Sequence, residues 1–121
     1  FSMKNALIQQ AKPYCNHFMI AAIEDETLEK TMMAQVSQAL LLIKGCIASF
    51  TIAKVKNNSN AVAVSARSDG SYNVQKIMEK LNGGGHFSAA AVEREDVSVQ
   101  QMKDMILKCI EEEQNNESNI A

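Results

Sequence analysis

Three glycines in succession followed by a histidine, Gly83-Gly84-Gly85-His86, are the residues of this chain best suited to chemistry. One glycine after a helix is an ordinary stop signal. Three exceed what a stop requires, since glycine costs about 0.5–1 kcal/mol relative to alanine inside regular structure. Free of side chains, such a run lets backbone N–H groups close on an anion. His86 beside it can donate a hydrogen bond, or a partial positive charge near neutral pH. A helical turn opening at Phe87 would aim its N-terminus at the same anion. The alternative is a flexible helix-to-strand connector that happens to carry a histidine.

The second candidate is Ser65-Ala66-Arg67-Ser68. On a strand, Ser65 and Arg67 share one face and Val62, Val64 and Ala66 the other. An arginine at a strand end can fork onto two phosphate oxygens, and Ser65 and Ser68 can add hydroxyl donors. Taken alone, the segment reads equally as a solvated arginine at a sheet edge. A turn and one short helix separate it from the glycine run, so the fold can return His86 to the neighbourhood of Arg67. That set suits a phosphate or a nucleotide. It does not suit unaided hydrolysis, because metal-assisted cleavage needs clustered carboxylates and histidines. This chain has only His17 and His86, with Asp25, Asp69, Asp96 and Asp104 scattered singly. No catalytic residue and no metal ligand set is expected here. The serines have no His/Asp partnership for a nucleophile.

These residues need elements to position them. Residues 3–12 read as a helix ended by Pro13. His17–Ile23 reads as a strand apolar on both faces. Asp25-Glu26-Thr27 offers caps for a long helix with Leu28, Met32, Val36, Ala39, Leu40 and Ile43 at helical spacing, stopped by Gly45. Ile47–Val55 and Ala61–Arg67 read as a hairpin around the turn cluster Asn57–Asn60, and Asp69-Gly70 ends the second strand. Asn73 caps a third helix whose stripe is Val74, Ile77, Met78 and Leu81. Residues 82–86 are expected as loop and Ala89–Glu93 as a further strand. Ser98 and Gln101 form a capping box, with a staple of Val97 and Met102, for a last helix buried through Val99, Met102, Ile106 and Ile110. Glu93–Asp96 reads as a solvated charge run. Fraying is expected from Glu111, where acids crowd a helix C-terminus. The fold class is α/β: a single domain, a mixed sheet of about four to five strands with helices packed on it.

Length and composition agree with that. The 121 residues fit one domain; 46% are hydrophobic and 21% charged, and the net charge of −2 offers no bulk basic field for duplex DNA. Cys15, Cys46 and Cys109 have neither zinc-site nor redox spacing and read as reduced thiols of a cytoplasmic domain. No apolar run approaches the roughly 20 residues of a membrane helix. The opening Phe1-Ser2-Met3 reads as the start of an excised fragment, which leaves room for a membrane anchor in the parent.

The segments SARS (65–68), NVQKIMEKL (73–81) and GGGHFSAAA (83–91) together resemble the DHH-associated C-terminal domain of the DHH phosphoesterase superfamily. The likeness extends over roughly residues 14–113, with 1–13 as a linker helix from a preceding domain and 114–121 as a flexible tail. The combination looks most like the GdpP-type phosphodiesterases. The resemblance implies a substrate-binding half of an enzyme hydrolysing cyclic di-AMP to linear pApA. Ser65, Arg67, Ser68, Gly83, Gly84, Gly85 and His86 would hold the phosphate or base. It also implies a DHH catalytic domain preceding this one in cis, carrying Mn2+, in a parent anchored in the bacterial cell membrane. The chain departs from the family pattern GGGHxxAAG, with Ala91 where glycine is expected, and that branch often has asparagine in place of Ala89. Other readings stay open at this level: a RecJ-like exonuclease or oligonucleotide phosphatase preferring linear nucleotides, or a tRNA-binding or dimerisation module of alanyl-tRNA synthetase type. A homodimer is compatible with each.

Overall fold

The structure, a computed structural model, describes residues 2–120, with side chains described through Asn116. In chain order the elements are α1 (Met3–Gln9), β1 (Lys12–Tyr14), β2 (Phe18–Leu28), α2 (Lys30–Leu40), β3 (Ala48–Val55), β4 (Asn58–Ser68), α3 (Val74–Lys80), β5 (Gly84–His86), β6 (Ala89–Arg94) and α4 (Val99–Ile120). The strands form one mixed sheet in the order β1-β2-β3-β4-β6-β5. Only β2 and β3 run parallel, joined through α2; the other neighbours are antiparallel.

Alternation along the strands divides the core in two. Phe50 and Ile52 of β3, Val62, Val64 and Ala66 of β4 and Val92 of β6 point to one face, where α3 and α4 cover them with Ile77, Met102 and Ile106. Ala53 and Ala63 point to the other, under Met33, Val36 and Leu40 of α2. The predicted face of α4 is buried as expected, and its box closes: Ser98 Oγ accepts from the Gln101 N–H at 3.0 Å, and Gln101 Oε1 from the Ser98 N–H at 2.8 Å. Such a cap contributes about 1 kcal/mol.

Several expectations need correction. The sheet has six strands, because two three-residue edge strands, β1 and β5, have too few residues to show a period. Pro13 does not merely follow α1; it lies in edge strand β1, where its missing N–H has no ladder partner to deprive. Asp25-Glu26-Thr27 cap nothing: they are exposed residues of β2, where the register against β3 slips between Ile23 and Thr27. The N-cap of α2 is Glu29, without a side-chain bond, and α2 stops at Leu40, five residues before Gly45. Asn58–Asn60 are strand, leaving Lys56 and Asn57 as the turn. Phe87 and Ser88 make a two-residue hairpin turn instead of starting a helix. Helix α4 does not fray at Glu111 but continues to Ile120. Glu113 is buried there, with its carboxylate 3.0 Å from Lys76 Nζ and 2.8 Å from Lys80 Nζ of α3. The expected flexible tail over 114–121 is thus helical as far as it is described; Ala121 lies outside the described residues.

Candidate functional site

Helix α2 covers only part of its face of the sheet. A buried hydroxyl network fixes where it sits. Ser37 Oγ donates to the Ser65 carbonyl at 2.6 Å and lies 2.7 Å from Thr51 Oγ1, while Ser49 Oγ donates to the Ser37 carbonyl at 2.6 Å. These bonds clamp α2 over β3 and the inner edge of β4. Beyond that line α2 reaches β6 through the Lys30–Glu93 ion pair, and Ala91 of β6 is exposed.

A trough of about 370 Å3 runs between α2 and these strands. Met33 and Ala34 form its wall, Ala63, Ser65 and Ala91 its floor. Arg67 stands toward one end. Lys30 and Glu93, an ion pair bridging helix and sheet, stand toward the other.

The register sets the polar groups in rows. Arg67 is opposite Ala89, and Ala89 is opposite His86, so one row carries arginine, alanine and histidine on three neighbouring strands. Directly paired residues share a face, so Arg67 and His86 flank the small Ala89 across about 10 Å of sheet. The next row on that face is Ser65, Ala91 and Gly84. Both side chains are long enough to converge on one anion above Ala89. Arg67 Nη1 donates to the Ala66 carbonyl at 2.8 Å and to Ser65 Oγ at 3.3 Å, which holds the guanidinium in place. Arg67 has no carboxylate partner among the described residues. Partial burial draws its pKa below the usual arginine value. A half-buried cation of this kind gains from an anion brought to it.

The three glycines serve different ends. A Cβ on Gly83 would lie 2.3 Å from the Ala91 carbonyl oxygen, and one on Gly85, at φ +147°, would lie 2.5 Å from Ala90 Cα. Both are glycine because the backbone entering and running through β5 lies tight against β6. A Cβ on Gly84 would meet nothing within 4 Å. Gly84 shares the Arg67 face, and its missing side chain leaves space rather than relieving a clash.

Of the predicted site residues, Ser65, Arg67, Gly84 and His86 therefore meet on one face, and Gly83 borders the trough. Ser68 and Gly85 do not join them. Ser68 alternates to the α3 and α4 face, where its Oγ accepts from the Gly70 N–H at 3.2 Å and its own N–H donates to the Ser88 carbonyl. The predicted anion-binding turn at Phe87 is also otherwise engaged, since the Phe87 carbonyl accepts from the Val74 N–H at the start of α3. Sequence reasoning missed Lys30, Ala91 and Glu93. The signal for the last two was alternation along β6, which puts Ala89, Ala91 and Glu93 on the Arg67 face; Lys30 was hidden by the misplaced start of α2. The supposed charge run is also divided: Glu93 faces the trough, whereas Arg94 forms a two-pronged pair with Asp96 at 2.8 and 2.6 Å.

Among the described residues no three His, Cys, Asp or Glu side chains cluster to hold a metal ion. Cys46 and Cys109 are buried, and burial pushes both thiols above their ordinary pKa, which disfavours the reactive thiolate. No described helix is long and apolar enough to cross a membrane.

Residues 14–115 match the model of the DHHA1 domain. The chain is 40% identical over 87 residues to the "Cyclic-di-AMP phosphodiesterase GdpP" of Geobacillus thermodenitrificans, an alignment covering 72% of this chain and 13% of that protein. It is 34% identical over 102 residues to a "Membrane protein-large ribosomal subunit bL9 fusion protein" of an Aster yellows witches'-broom phytoplasma, covering 84% of this chain and 12% of the other. The chain thus spans about an eighth of the length of these two relatives. Among solved structures, an exopolyphosphatase-related protein from Bacteroides fragilis superposes with a TM-score of 0.70 at 16% identity, over 93% of this chain and 35% of that one. That likeness is one of fold.

Proposed function

This chain belongs to the DHHA1 domain family, and from that premise we propose that it is the substrate-holding half of a phosphodiesterase that opens cyclic di-AMP to linear pApA. The observation that carries this reading is the Arg67–Ala89–His86 row on the uncovered part of the sheet, with an arginine that has no described carboxylate partner. The kinship with a protein named as a cyclic-di-AMP phosphodiesterase supports the choice of substrate.

In this reading Arg67 forks onto a phosphate, His86 donates to the same group from β5, and Ser65 holds the guanidinium in its working orientation. Gly84, in the neighbouring row, keeps the space beside them clear. The domain supplies binding and orientation, which can account for much of a rate enhancement. In this reading bond cleavage would belong to a DHH domain preceding this one in the whole protein, where Mn2+ would supply the activation of water; no residue set among the described residues of this chain fits such an ion. Kinship with a protein named as a membrane protein supports an anchored parent.

The test is a titration of this chain with cyclic di-AMP, pApA and AMP, with Arg67→Ala and His86→Ala alongside. Binding in the millimolar range is expected, about −4 kcal/mol, weakened about tenfold or more by Arg67→Ala and less by His86→Ala. Affinity indifferent to both changes would refute the grip. A marked preference for linear ligands would favour an oligonucleotide phosphatase instead.

A further inference from the structure

The far end of the trough has a polar pair that the phosphate grip does not use. Glu93 is opposite Ala63, as Arg67 is opposite Ala89, so the two charged ends stand four residues apart along β4. That is about 13 Å at the usual rise of a strand, close to the reach of one extended nucleoside monophosphate from phosphate to base edge. Between them lies the row of Ser65, Ala91 and Gly84, where the exposed Ala91 methyl and the side-chain-free Gly84 leave room for a ring beside Ala34 of α2.

We propose that Glu93, steered by Lys30, reads the edge of the base, so that the trough selects a 6-amino purine over its 6-oxo counterpart. The inference rests on the nucleotide reading above and adds the residue that sets base preference. A carboxylate only accepts hydrogen bonds. An exocyclic amine at position 6 facing it gains a charge-assisted bond, whereas an oxo group in the same place sets lone pair against lone pair, and the N1–H of a 6-oxo purine reaches the carboxylate only if the base slides along its edge. Lys30 engages Glu93 at Oε1, leaving Oε2 for the ligand. The same lysine offsets the charge of Glu93, which would otherwise oppose a phosphate bound at Arg67. Both side chains of the pair are more than a third exposed, so Glu93 can be changed without opening the core, and Ala91 is an exposed methyl whose enlargement fills the trough.

The experiment is calorimetric or NMR titration of this chain with AMP, IMP and inorganic phosphate, repeated for Glu93→Gln, Ala91→Leu and Arg67→Ala. The expected result is AMP binding about tenfold more tightly than IMP, as one charged hydrogen bond allows. Glu93→Gln should bring that ratio near one. Ala91→Leu should weaken both nucleotides far more than phosphate, and Arg67→Ala should weaken all three. Equal binding of AMP and IMP, a preference for IMP, or a preference that survives Glu93→Gln would overturn the role of Glu93 and leave the phosphate grip standing if Arg67 still matters. Absence of binding by all three ligands, or binding indifferent to Arg67→Ala, would remove the nucleotide reading and this inference with it.

Discussion

The same strands finish the two faces of this sheet in opposite ways. On the face under α3 and α4, β3, β4 and β6 present Phe50, Ile52, Val62, Val64 and Val92, all sealed by helix. One residue further along each strand, β4 and β6 present Ala63, Ser65, Arg67, Ala91 and Glu93, which α2 covers only as far as the line of the Ser37 hydroxyl. The first face is continuous and apolar; the second changes from core to polar trough within two strands. A period of two lets one strand serve both purposes. Packing demands are met on one side, so the other is free to carry small residues, an unpaired cation and open space.

The contrast predicts where substitutions harm stability and where they harm binding. The largest stability effect should come from Phe50→Ala in the sealed core, about 3–5 kcal/mol, read from the urea or guanidinium midpoint. Ser37→Ala should follow at about 1–3 kcal/mol, because it strips the Ser65 carbonyl and Thr51 of a buried partner. It should also loosen the wall of the trough, so ligand affinity should fall in step. Arg67→Ala should invert the pattern, with a stability change of about 0.5 kcal/mol or less and a loss of ligand affinity of about tenfold or more. A large destabilisation by Arg67→Ala would erase the proposed distinction between the faces.

How far these faces could be read from sequence follows from the same alternation. The apolar side is legible: the α4 stripe, its capping box and the β3–β4 hairpin all stand in the structure. Hydrophobic period and cap chemistry are local signals. The open side was only half legible. Ser68 reads as a further hydroxyl donor beside Arg67, but one residue of strand reverses its face. The glycine run reads as a loop, although Gly84 and Gly85 belong to β5, Gly83 and Gly85 lie tight against β6, and Gly84 opens space. The trough itself depends on how far α2 reaches across the sheet, which its own sequence does not state.

A smaller effect concerns the joint between α3 and α4. The lysines of α3, Lys80 first, hold the Glu113 carboxyl below its ordinary pKa. Its stabilisation is complete above the usual carboxylate range and is lost as pH falls through the lowered pKa. Lys80 is raised by the same contact, so its share is complete below the usual lysine range and lost as pH rises through the raised value. The lysines are partly exposed, so Glu113→Gln should cost about 1 kcal/mol or less at neutral pH. It should flatten the acid limb of a stability–pH curve without altering ligand affinity.

The claim that the open face is the ligand site is tested most directly by its methyl groups. Ala91 and Ala34 line the trough and are at least partly exposed, whereas Met78 and Met102 are buried on the opposite face. With alanine and methionine methyls labelled, this chain would be titrated with cyclic di-AMP and followed by NMR. The account predicts that the Ala91 and Ala34 methyls shift together and saturably while Met78 and Met102 stay in place. Shifts confined to Met78 and Met102, or an Ala91 methyl that does not move at millimolar ligand, would contradict it.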